Sequence, residues 1–173
     1  MCVLELSPAI ATERLTLRGV AASDAQRLCE LANDILVAKM TSSMPNPYGL
    51  ADAEALLARA KPGGAETLFV IEHREHGAIG LLGFDPGPRP ELGYFIGRQF
   101  WNQGYATEAA QGALGWLARQ GRRMVVAGHF SDNPASGAVL CKAGFLYTGD
   151  VELRPSVARG GEPVPTRMMV WLA

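Results

Sequence analysis

In "ERLTLRGV" the apolar residues Leu15, Leu17 and Val20 fall among polar ones with a period near two, which predicts a first strand. The period then changes. In "SDAQRLCELANDI" Leu28, Leu31 and Ile35 recur at helical spacing behind Ser23 or Asp24 as N-cap, so a helix follows. "TSSMPNPYGL" is loop by composition, and "ADAEALLARA" is a short second helix stopped by "KPGG". "ETLFVIE" and "AIGLLGF" predict two strands joined by the polar turn "HREHG". "DPGPRP" is another turn and "ELGYFIG" a further strand. A long helix through "EAAQGALGWLA" precedes the strand "RMVVAGHF", and "SDNPASGAVLCKAGF" is a capped short helix ending at Gly144. "FLYTGDVELR" is extended, "PSVARGGEPVP" a loop, and "TRMMVWLA" a closing strand. The order β-α-α-β-β-β-α-β-α-β-β describes a mixed sheet covered by helices, in one domain over residues 1–173. The chain shows no internal repeat, linker or low-complexity tract.

Composition narrows the classes. A chain of 173 residues, 48% hydrophobic and 19% charged, has the length and content of a globular domain with a real core. A net charge of −1 gives no electrostatic case for nucleic acid. Cys2, Cys29 and Cys141 are widely separated and odd in number, which fits free thiols in a reducing compartment and suggests no metal site. No run reaches the ~18 apolar residues of a membrane span. The start "MCVLELSPAIATERL" lacks the basic flank and apolar stretch of a secretory signal. The expectation is a cytoplasmic protein without membrane contact.

Chemistry enters at "QFWNQGYAT", where a strand hands over to a helix. A helix start carries unpaired N–H groups and a partial positive charge, so an anion placed there is stabilised. Gly104 and Ala106 let the backbone approach such an anion, and Thr107 adds a hydroxyl. The alternative is a glycine ending a loop and alanines packing a helix. Neither G-x-x-x-x-G-K-[ST] nor G-x-G-x-x-G is present between strand and helix.

"ELGYFIGRQFWNQGYATEAAQGAL" followed by "SDNPASGAVLCKAGFLYTGD" resembles the acyl-CoA-binding half of the GCN5-related N-acetyltransferases (GNAT). Within them it is most similar to the ribosomal-protein serine/alanine N-terminal acetyltransferases, and "TERLTLRGVAASDAQRLCELAND" and "PYGLADAEALL" extend the likeness over nearly the whole chain. The family's [RQ]-x-x-G-x-[GA] loop falls on Trp101-Asn102-Gln103-Gly104-Tyr105-Ala106, with Trp in its first position. The resemblance implies an α/β fold of the α+β type. Its central sheet is mixed but mostly antiparallel, of six to seven strands, splayed in the middle and flanked by about four helices. It also implies acetyl-CoA as co-substrate, no metal, and a small-molecule or peptide amine as acceptor, and it leaves a homodimer open. Pantetheine would pair with the strand at Phe95, Ile96 and Gly97, one N–H polarising the thioester carbonyl. Backbone N–H groups of Gln103, Gly104, Tyr105, Ala106 and Thr107 would hold the pyrophosphate. Asn133 would contact the arm, or act only as N-cap before Pro134. Ser136 lies one turn on, near the sulfur.

Many relatives place a Tyr acid where this chain has Cys141; the reading here is a small core residue, with Ser136 as first substitute acid and Tyr105 and Tyr147 behind it. As base, alternation puts Glu91 on one face with Gly93 and Phe95; the carboxylate either takes the amine's proton or is solvated at the strand's start. Glu108 has a role in the helix dipole. His129 ends a strand near the cleft as shuttle or structural residue, while His73 and His76 are expected in solvent. The acceptor groove would be built by "MTSSMPNPYGL" and "LRPSVARGGEPVPTRM", with Arg154, Arg159 and Arg167 either meeting acidic acceptors or solvated. Arg98 or Arg159 would be needed by a longer acidic acyl group such as succinyl. An α-amine is about one-seventh neutral at pH 7 and a lysine amine about one part in 2,500, so a site without a strong base suits the α-amine. A non-catalytic acyl-CoA-binding module is the competing class.

Overall fold

The computed structural model describes residues 9–60, 67–85 and 87–173. The "KPGG" breaker, Glu66, Cys2 and Pro86 lie outside the described residues.

Alternation builds the first sheet. Leu15 and Leu17 of β2 (Leu15–Gly19) are buried, and β1 (Ile10–Ala11) pairs with β2 through Ile10 and Leu17, a two-residue strand too short to show in a pattern. β3 (Thr67–His73), β4 (Gly77–Phe84) and β5 (Leu92–Ile96) extend it antiparallel in the order β1-β2-β3-β4-β5. β4 is buried from Ala78 to Phe84, as a central strand covered on both faces must be. A second sheet has the order β6-β8-β7, from β6 (Met124–Phe130), β7 (Leu146–Ser156) and β8 (Glu162–Leu172). The described residues thus form eight strands in an α/β arrangement, one more than the upper expectation.

Among the described residues five α-helices surround these sheets: α1 (Ala25–Ala32), α2 (Ile35–Ala38), α3 (Leu50–Ala58), α4 (Tyr105–Arg119) and α5 (Pro134–Ala143). The single helix expected through Ile35 breaks at Asp34. That residue is extended, and its carboxylate caps α2 by accepting from the Leu36 N–H at 2.9 Å. The expected loop "PSVARGGEPVP" is mostly strand. β7 runs through Ser156 and β8 starts at Glu162, with the reversal confined to Val157–Arg159 and two positive-φ glycines, Gly160 and Gly161. Prolines 163 and 165 disguised it. α4 lies on β1, β2 and β5, with Trp116 edge-on to Phe69 of β3 at 5.4 Å. α1 packs with α3 and on β4. No helix of the described residues is long and apolar enough to cross a membrane.

The two sheets meet at β5 and β6, and there they part. One parallel bridge joins Glu91 to Val126, whose N–H donates to Pro90 O at 3.0 Å. Beyond it, among the described residues, β5 pairs only with β4. Asp85 N–H donates to Glu91 O at 3.0 Å and Gly97 N–H to Ile79 O at 2.9 Å, so the odd-numbered residues of β5 turn their backbone toward β4. The backbones of Tyr94 and Ile96 therefore face the gap.

Candidate active site

The gap opens beside the start of α4. Gly104 precedes that helix in the left-handed region (φ +79°), and no side chain caps the helix start. The first-turn N–H groups, those of Tyr105, Ala106 and Thr107 among them, are directed out of the helix end toward whatever anion is offered. The loop is braced from behind. Arg14 donates to Gln103 O at 2.9 Å, its Nε pairs with Glu108 at 2.7 Å, and its guanidinium lies over the Tyr105 ring at 4.5 Å. Burial opposes ionisation of Glu108, but donors from Thr12, the Arg14 N–H and the Arg14 guanidinium hold it below the usual carboxylate range. Tyr105 itself is buried, and Asn102 also has positive φ (59°), which bends the chain into the loop.

Of the three residues expected to meet pantetheine, only Ile96 turns its backbone to the gap. Phe95 turns its backbone to β4, and Gly97 gives its N–H to Ile79 O and its carbonyl to the Phe100 N–H, a correction that follows from strand alternation and the turn after it. Ile96 O is already taken by the Trp101 indole N–H at 2.7 Å, leaving the Ile96 N–H for a guest. That bond also shows what Trp101 does at the head of the loop. The pattern reading missed Tyr94, whose backbone faces the same gap.

A cavity of about 380 Å³ continues from the gap. Its walls include Met40, Thr41 and Met44 after α2, Phe84 of β4, Glu91 and Tyr94, His129 of β6, Ser136 and Leu140 of α5, and Arg154 of β7. Two segments read as the acceptor side touch here: Ser156 Oγ donates to Thr41 O at 3.1 Å and Val157 N–H to Ser42 O at 3.0 Å.

Within the cavity Ser136 Oγ lies 2.8 Å from Tyr94 Oη, a hydrogen bond that crosses the parting of the sheets. Burial pushes the Tyr94 phenol up to about 12, against the opposing pull of Ser136, so it keeps its proton at neutral pH. Asn133 caps α5, its Oδ1 accepting from the Ser136 N–H at 3.2 Å, which fixes Ser136 in the first turn. Deeper in the wall, His129 is buried, with Nδ1 2.9 Å from Phe130 O and Nε2 3.0 Å from Tyr147 Oη. A carbonyl only accepts, so Nδ1 carries a proton, and in the singly protonated ring Nε2 is the acceptor for the Tyr147 hydroxyl. A Cβ at Gly137 would stand 2.9 Å from both His129 Nε2 and Tyr147 Oη; glycine lets α5 seat on the pair.

Other expected roles change. Both oxygens of Glu91 face the Arg154 guanidinium, one in a short ion pair and the other at 3.3 Å, and Arg154 also holds Glu152 at 2.8 Å. Glu91 pushes the already high Arg154 pKa further up, with burial opposing. The carboxylate expected as base is thus tied to β7. Cys141 is exposed and does not line the cavity, which corrects the core reading. Arg159 is bound to Asp132 at 2.7 and 3.1 Å and to Lys39 O at 2.8 Å, Arg98 pairs with Asp34 at 2.7 Å, and Arg167 covers Tyr147 at 4.2 Å. Each of these three arginines already has a protein partner.

Residues 14–146 match the acetyltransferase (GNAT) domain family. The chain belongs to this family. Among curated relatives of this GNAT chain is the uncharacterized N-acetyltransferase p20 of Bacillus licheniformis, 32% identical over 108 residues that cover 58% of this chain and 60% of p20. The GNAT fold is likewise that of the acetyltransferase from Salmonella typhimurium that modifies the N-terminal serine of the 50S ribosomal subunit protein L7/L12. The two agree with a TM-score of 0.82 and 20% identity over 96% of this chain and 99% of that one. Spermidine N-acetyltransferase from Vibrio cholerae, solved with CoA and spermine, aligns with a TM-score of 0.77 and 21% identity over 92% of this chain and 95% of that one. At these identities the structural likeness is one of fold.

Proposed function

We propose that this chain is a single-domain acetyltransferase of the ribosomal-protein serine/alanine type. It would move an acetyl group from acetyl-CoA to a primary amine by direct attack with both substrates bound. One observation carries the reading: the sheets part beside a helix start without a side-chain cap, and a half-buried, hydrogen-bonded Tyr94–Ser136 pair lies in the cavity beyond.

The α4 start would hold the pyrophosphate through backbone N–H groups of Gln103, Gly104, Tyr105, Ala106 and Thr107. Pantetheine would lie along β5 as a strand partner, with the Ile96 N–H polarising the thioester carbonyl as negative charge develops on its oxygen. Departure of the thiolate needs a proton. Ser136 is the donor this reading assigns; Tyr94, protonated at neutral pH, restores the proton to Ser136, and the proton shed by the attacking amine nitrogen as the amide forms returns to Tyr94. Since Glu91 is engaged by Arg154, the amine is best supplied neutral, and an α-amine supplies about 10² to 10³ times more neutral form at pH 7 than a lysine does. The partnered state of Arg98 and Arg159 favours acetyl over a longer acidic acyl group.

The experiment is thiol release from acetyl-CoA and succinyl-CoA over peptides with free N-termini, polyamines and small amines. Amine-dependent release with acetyl-CoA, greatest for α-amines, supports the proposal. CoA binding without amine-dependent release from either donor overturns it in favour of a binding module.

A further inference from the structure

Away from the donor gap, the β3–β4 turn collects three metal-ligating side chains. His73 ends β3, and Glu75 and His76 follow before Gly77 reverses the chain with φ +66°. One ligand atom from each of His73, Glu75 and His76 lies within 4.8 Å of the other two. The rings are packed in place. His73 and His76 stack at 4.8 Å and 26°, His73 meets the edge of Tyr105 at 5.3 Å, and His76 leans on Phe100 at 5.3 Å. His73 is half-buried, while Glu75 and His76 are exposed. The neighbouring Glu72 is turned to Arg18 at 2.6 Å and stays out of the cluster.

We propose that His73, Glu75 and His76 form a binding site for a divalent transition ion of the zinc, cobalt or nickel kind. Two imidazoles and one carboxylate suit such borderline ions, whereas magnesium and calcium prefer all-oxygen sets. Bonds near 2.0–2.1 Å in tetrahedral array place ligand atoms roughly 3.4 Å apart, so the cluster must contract. Side-chain rotation of the exposed Glu75 and His76 supplies that movement, and water fills the fourth position.

Two features set the strength. The Glu75 N–H donates to His73 Nδ1 at 3.1 Å, so the neutral ring carries its proton on Nε2, and ligation through Nε2 gives up that hydrogen bond. Arg74 adds a positive charge to the same turn. The site is therefore weaker than a structural zinc centre. It lies against Phe100 and Tyr105, on either side of the loop that precedes α4, so an ion held there fixes the hairpin to the back of that loop. No chemical step passes through the ion, and the site stands or falls apart from acyl transfer.

The experiment is calorimetric titration of the full chain with Zn²⁺ after alkylation of its cysteines, alongside the visible absorption of Co²⁺. One saturable site is expected, weakened by about tenfold or more in His76→Asn and in Glu75→Gln, since a lost ligand costs at least what a lost supporting contact does. Both substituted side chains are exposed, so the fold is retained. Absence of saturable binding, or binding unchanged in His76→Asn, overturns the assignment.

Discussion

Tyr94 and Ser136 are joined by a 2.8 Å hydrogen bond although one belongs to the five-stranded sheet and the other to the helix that packs on the three-stranded one. If they pass one proton, they act as a unit. Tyr94→Phe and Ser136→Ala should each lower kcat by about 10²-fold with little change in the KM for acetyl-CoA, and the double variant should be scarcely worse than either single one. Full turnover in both single variants would exclude them from proton transfer.

Gly104 has φ +79°, and a Cβ there would lie 3.3 Å from Arg14 Nη2. Gly104→Ala should lower the melting temperature and weaken CoA binding together, since left-handed backbone costs a side chain about 1 kcal/mol. Gly104→Glu, adding a carboxylate where the proposed function puts the phosphates, should abolish CoA binding in calorimetry. Retained affinity in the glutamate variant would move the pyrophosphate elsewhere.

Glu91 and Arg154 tie β5 to β7 at the edge of the cavity. Glu91→Gln should leave the pH–rate profile in place and change turnover modestly, because the amine is deprotonated before attack. The stability cost should be on the order of 1 kcal/mol for this half-buried pair. A displaced acidic limb in that profile would restore Glu91 as base.

The folded protein holds Glu108 below the usual carboxylate range, so its contribution is complete at neutral pH and is lost as pH falls below the unfolded-chain value of about 4.3 and through the depressed folded one. Melting temperatures measured from pH 7 to 3 should show Glu108→Gln destabilised at pH 7 and converging on the parent at the acid end. A constant difference across that range would detach Glu108 from the acid transition.

Cys141 is exposed and lies off the cavity wall. Cys141→Ala should keep kcat within a few-fold, and alkylation of the parent protein should do the same. A hundred-fold loss in Cys141→Ala, measured by thiol release, would make the thiol a participant.

Much of this was legible in the residues. Gly104, the strand before it and the capped helix at Asn133 are local signals, because positive φ, alternation and capping act over a few neighbours. Tyr94 was not legible, since its importance comes from Ser136, 42 positions away, across two sheets whose parting no pattern records. Glu91 and Arg159 were read as available because their partners, Arg154 and Asp132, lie 63 and 27 positions off. Cys141 misled for another reason. An apolar stretch does not say which helical face meets the sheet, and the face taken here is that of Gly137 and Leu140.

A sheet that stops short of closing carries an unfilled order. Past the rung between Glu91 and Val126, Tyr94 and the Ile96 N–H look across at no neighbouring strand among the described residues. Only a guest bearing its own amides, spaced like a peptide, can complete the ladder. Stripped-down thioesters that keep the reactive sulfur but lack those amides should therefore be poor donors, however small and mobile they are.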